Sequence, residues 1–93
     1  MKAHHRAAIN RLVEYLSEKP EFLAAIVSGS IAKGTARDDS DIDVYLVVPD
    51  EDFLSRKSRN DLFFYNRELC DYPGGYFDGK IVTLSFLEQA AVR

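Results

Sequence analysis

The run Ile42-Asp-Val-Tyr-Leu-Val-Val48, closed by Pro49, is rich in β-branched and large apolar residues. Such residues suit a pleated, packed backbone, and a proline ends the ladder because it has no N–H to donate. The run therefore predicts a strand over 42–48, and a strand needs both a sheet to join and a layer to cover it. The remaining segments supply these. Ile9, Leu12, Val13 and Leu16 fall at helical spacing ahead of Pro20, which predicts a helix over 4–18. Phe22 to Val27 reads as a short buried strand, punctuated by Ser28-Gly29-Ser30, with a brief helix over 31–36. Within 50–70 the apolar residues Leu62, Phe63, Tyr65 and Leu69 suggest a helix in the second half, after the polar stretch Ser55 to Asp61. Asp78-Gly79 reads as a hairpin turn between Gly75–Phe77 and a strand Lys80–Phe86. A last helix begins at Leu87. The expected fold is α/β (α+β): a small mixed β-sheet backed by helices, in one domain over residues 1–93. The chain stops within a turn of that last helix, as a truncated domain would.

Composition narrows the function. With 12 basic and 15 acidic residues the net charge is −3, so the basic stripe of a protein that grips nucleic-acid backbones is not predicted. There is no apolar run of membrane-spanning length and no secretory-type N-terminus. The lone Cys70 has no partner for an internal disulfide, which places the chain in the cytoplasm by expectation.

Chemistry concentrates at the two ends of the loop between the first two strands. Asp41 and Asp43 are two residues apart at the start of a strand, so they are expected on one face with Cα atoms ~6.6–6.8 Å apart. Carboxylates this close repel one another, and a divalent cation relieves the repulsion. The chain has nine aspartates, so Asp-x-Asp alone is weak evidence. Its distance from Gly29-Ser30 is what makes it informative: glycine admits a close backbone approach to phosphate, and a helix starting just after it turns free N–H groups the same way.

Residues 27–48, VSGSIAKGTARDDSDIDVYLVV, resemble the nucleotidyltransferase superfamily of DNA polymerase β, whose signature is a strand-terminal Gly-Ser followed at this distance by Asp-x-Asp. Ala32, Lys33, Gly34 and Ser40 extend the likeness. The resemblance implies that Gly29, Ser30 and Lys33 bind the phosphates of an NTP, ATP foremost. It also implies that Asp41 and Asp43 are catalytic and hold Mg²⁺, two ions in the active complex. A nucleoside monophosphate would pass to a hydroxyl on a small molecule or protein, as in aminoglycoside adenylyltransferases and antitoxin-type AMP-transferases.

The superfamily adds a third carboxylate on a neighbouring strand. Alternation along Val82-Thr83-Leu84 puts Thr83 where that carboxylate is expected, while Asp78 sits in the anticipated turn. Two functions remain open on this point. A third carboxylate near Asp41 and Asp43 favours an active enzyme; its absence favours a catalytically weakened module that binds a nucleotide or a partner. His4 and His5 are expected on a solvated helix start, and Arg56, Lys57 and Arg59 on a solvated surface. Tyr72, Tyr76 and Phe77 are expected to pack core or hairpin.

Overall fold

The computed structural model describes residues 1–91, folded as α1 (Ala3–Ser17), β1 (Ala24–Ser28), α2 (Gly29–Lys33), β2 (Ile42–Val48), α3 (Asp50–Ser58), β3 (Phe63–Asn66), β4 (Phe77–Thr83) and α4 (Leu84–Ala91). The four strands form one mixed sheet in the order β1-β2-β4-β3. β1 runs antiparallel to β2, β2 parallel to β4, and β3 antiparallel to β4. This is the small mixed sheet with helices that the sequence predicts.

The core lies on one face of the sheet. Ile42, Val44, Leu46 and Val48 alternate inward along β2, and Phe77 and Ile81 do so along β4. Ala8, Leu12 and Leu16 of α1 cover them, one residue per helical turn on a single buried stripe. Asp43 and Tyr45 of β2, with their register partners Asp78 and Lys80 of β4, point to the opposite face. One end of that face carries charge; at the other end Val47 and Val82 are buried.

The expected buried strand over Phe22–Val27 is instead the edge strand β1, none of whose residues is buried, because it has a neighbour on one side only. Two further segments differ from expectation, each for a physical reason. The helix expected in the second half of 50–70 is in the first half. Asp50, Glu51 and Asp52 in the first turn of α3 and Arg56 and Lys57 in its last turn match the helix dipole. Asp52 and Arg56, four residues apart, pair at 3.1 Å. Phe63–Asn66 instead becomes β3, with Leu62 and Phe64 turned to the core and Phe63 and Tyr65 exposed. The second difference is at Asp78-Gly79, which lies inside β4 rather than in a turn. Gly79 is there because Phe64 of β3 packs across it: a Cβ on Gly79 would stand 2.9 Å from the Phe64 Cβ. β4 accordingly ends at Thr83 rather than Phe86, and α4 begins at Leu84 rather than Leu87. Of the last expected helix, residues 92–93 lie outside the described residues.

Candidate functional site

β1 hands the chain to α2 at Ser28, the antiparallel partner of Asp43, and the Ser28 hydroxyl donates to the Asp43 carbonyl at 3.4 Å. Gly29 follows with φ +67°, a conformation that side chains with a Cβ disfavour. Its missing side chain matters doubly, because a Cβ at this position would collide with the Asp43 carboxylate oxygen. The Gly of the Gly-Ser pair is therefore the surface against which Asp43 packs.

Asp43 and Asp78 are register partners across the parallel β2–β4 pair, and Asp41 stands just before β2. One oxygen from each of Asp41, Asp43 and Asp78 lies within 4.8 Å of the other two. Burial, then the charges of Asp41 and Asp78, push the Asp43 carboxyl above its ordinary value of 3.8, with Lys80 opposing. An open cleft of ≈ 320 Å³ lies here, lined by Ser28, Gly29, Asp43, Tyr45, Asp78 and Lys80. Three convergent carboxylates, one of them partly buried with its proton affinity raised, are a donor set suited to a hard divalent cation.

A family model described as "Polymerase beta, Nucleotidyltransferase" matches the chain from residue 10 to residue 88. The chain belongs to this family. It is thus a nucleotidyltransferase-type domain, and the match runs from α1 into α4, past the Gly-Ser and Asp-x-Asp segments. No curated protein and no solved structure matches it.

Within this nucleotidyltransferase domain, Asp41 and Asp43 come together as expected, with Gly29 against them. Ser30 and Lys33 lie farther along α2 and do not line the cleft; Lys33 is exposed at the helix end. The cation that does line it is Lys80, two residues from Asp78 on the same face, which the sequence reading missed. Alternation through Asp78-Gly79-Lys80 would have exposed it had the Asp-Gly pair not been read as a turn.

Thr83 is not the third position. It is the register partner of Val48, on the core face at the opposite end of β4, and its hydroxyl accepts the Phe86 N–H at 3.0 Å. Asp78 fills the place instead.

Three further expectations change. His5 is fully buried, not solvated; its Nε2 lies 3.3 Å from the Ser40 carbonyl, and burial with the adjacent His4 holds it below its ordinary 6.5. His4 bonds the Asp38 carbonyl at 2.7 Å. Arg56 is largely covered: it pairs with Asp52, Asp61 and Glu21 and lies 5.1 Å over the Phe22 ring, while Lys57 and Arg59 are exposed as expected. Phe77 and Tyr72 do pack the core, but Tyr76 faces Tyr65, ring centroids 4.8 Å apart. Tyr65 is the register partner of Asp78 across β3 and β4, so this aromatic pair stands beside the carboxylates. The Asp41 charge, then burial and the charge of Asp78, raise the Tyr76 hydroxyl above its ordinary value.

Proposed function

We propose that this domain is a metal-dependent nucleotidyltransferase that moves a nucleoside monophosphate from an NTP, ATP foremost, to a hydroxyl acceptor on a small molecule or protein. The observation that carries the reading is the convergence of Asp41, Asp43 and Asp78 against Gly29 at the end of β1. The three carboxylates would hold Mg²⁺, two ions in the active complex. Bound there, Mg²⁺ would neutralise phosphate charge and lower the pKa of the attacking hydroxyl.

The chain's own residues divide the work by their place on the sheet. Gly29 and Ser30, on the β1 side of the carboxylates, present backbone N–H groups to the β and γ phosphates, with Lys33 adding charge from the end of α2. In an in-line displacement the acceptor oxygen bonds to the α phosphorus as the bond to the β-phosphate oxygen breaks, and pyrophosphate leaves on the far side. The acceptor then enters from the β4–β3 side, where the exposed Tyr65 and the half-buried Tyr76 form an aromatic wall. Its proton passes to Asp78, the most exposed of the three carboxylates.

The weakened-module reading rested on the lack of a third carboxylate, and Asp78 removes that premise. Calorimetry with each of the four NTPs, with and without Mg²⁺, tests the proposal. Mg²⁺-dependent ATP binding that vanishes in the Asp41→Asn/Asp43→Asn double variant is the expected result. If the double variant binds Mg-ATP as the parent does, the site lies elsewhere.

A further inference from the structure

Asp41 lies outside β2, so no strand pairing holds the peptide unit on its N-terminal side. The chain around it is fixed differently. A turn closes at Arg37–Ser40 through Ser40 N–H to the Arg37 carbonyl at 3.1 Å and Arg37 N–H to the Ser40 hydroxyl at 2.8 Å. The Ser40 carbonyl then accepts from the Tyr72 hydroxyl at 2.8 Å and lies 3.3 Å from His5 Nε2. The Ser40 carbonyl and the Asp41 N–H belong to one rigid peptide plane, so whatever holds the carbonyl orients the plane on which Asp41 hangs. On the other side, the Ile42 N–H donates to the Tyr76 carbonyl at 2.9 Å and fixes the plane from Asp41 to Ile42. Asp41 is suspended between two anchored planes.

His5 sharpens the point. It is 0% exposed, and its Nδ1 is buried without a hydrogen-bond partner. A carbonyl can only accept, so Nε2 carries the proton and Nδ1 is left as an empty acceptor. A buried imidazole with one unsatisfied nitrogen is a poor core residue, and an unsatisfied group of this kind calls for an explanation. The bond to Ser40 supplies it. Tyr72 is built into the same cluster: its ring meets His5 edge-on at 5.1 Å and His4 at 4.6 Å. Tyr72 is 32 residues from Ser40 and His5 is 35, so the contact draws α1 and the β3–β4 connection onto the loop before Asp41.

We propose that Tyr72 and His5 are positioning residues for Asp41, holding the Ser40 carbonyl so that the Asp41 carboxylate meets those of Asp43 and Asp78. The proposal rests on the reading of Asp41 as a metal ligand, and its test separates the two. The probe is Mn²⁺ alone, titrated without nucleotide at a temperature where parent and variant are both folded, with melting in chelator measured alongside. Tyr72→Phe keeps the ring packing and removes only the hydroxyl. It should weaken Mn²⁺ binding about two- to tenfold, the loss expected of one hydrogen bond. His5→Leu should act in the same direction, and His5→Gln, which keeps an N–H in reach of Ser40, should bind nearer to the parent. In an Asp41→Asn background, Tyr72→Phe should have no further effect, because its influence runs through Asp41. The inference is overturned if Tyr72→Phe and His5→Leu lower the melting temperature yet bind Mn²⁺ like the parent while Asp43→Asn abolishes binding; the metal-site reading then survives. A parent chain that binds no Mn²⁺ overturns both.

Discussion

Asp43 and Asp78 stand side by side as register partners on parallel strands β2 and β4, at the end of the sheet where β1 turns into α2. This pairing makes Asp78, not Thr83, the third acidic position. Asp78→Asn should abolish Mg²⁺-dependent nucleotide binding by calorimetry while raising the melting temperature in chelator, since it relieves repulsion among the carboxylates. Thr83→Asp should do neither. An aspartate there can still accept the Phe86 N–H at the start of α4, so stability should stay near the parent's in chelator and in Mg²⁺ alike. A larger Mg²⁺-induced stabilisation in Thr83→Asp than in the parent would return Thr83 to the site.

Gly29 answers to two constraints at once. Gly29→Ala must hold a Cβ at φ +67° and must also displace the Asp43 carboxylate. The backbone alone should cost about 1–2 kcal/mol in thermal or denaturant unfolding. Mn²⁺ affinity should fall as well, because Asp43 cannot keep its place. Ser30→Ala makes the contrast: unfolding unchanged, and nucleotide affinity down roughly ten- to hundredfold if the hydroxyl donates to a phosphate. Equal nucleotide affinity for Ser30→Ala and the parent would remove that hydroxyl from the site.

The pH dependence has a definite sign. Asp43 has its folded pKa raised, first by burial and then by Asp41 and Asp78. Its contribution to stability is fully present below the unfolded value and is lost as pH rises through the folded one. In chelator, the parent should therefore lose stability relative to Asp43→Asn as pH climbs from about 3.8 through the raised carboxyl's range. Metal binding needs the ionised form, so Mn²⁺ affinity should rise over the same interval. Parallel melting curves for parent and Asp43→Asn across that range would sink the assignment.

Tyr65 tests the direction from which the acceptor comes. It is 60% exposed, so Tyr65→Ala should leave folding and Mg-ATP binding close to the parent's. Transfer to an added hydroxyl acceptor should drop, visible as slower pyrophosphate release. A loss of ATP affinity instead would put the nucleoside, rather than the acceptor, on this wall.

Much of this was legible along the chain because it depends on near neighbours. α1 declares itself by apolar spacing, β2 by a β-branched run ended by Pro49, and the Gly29-Ser30 and Asp41-x-Asp43 pairs by their places at strand ends. What went unread depends on residues far apart in sequence. Leu62–Tyr65 is a continuous apolar run that fits a helix with Leu69 as readily as a strand, and pairing with β4 decided for the strand. Asp78-Gly79 has turn chemistry locally, but Phe64 packing across Gly79 draws it into the sheet and sets Asp78 beside Asp43. His5 sits in a polar N-terminal segment, and its burial exists only once α1 docks against the loop ending at Ser40. The sequence alone determined the α+β class, two of the three carboxylates and the glycine between strand and helix, since these follow from backbone geometry and periodicity over a few residues. Only the tertiary structure decided the third carboxylate, Lys80 and the hold on Asp41, because strand register and side-chain packing bring together groups that local propensity cannot relate.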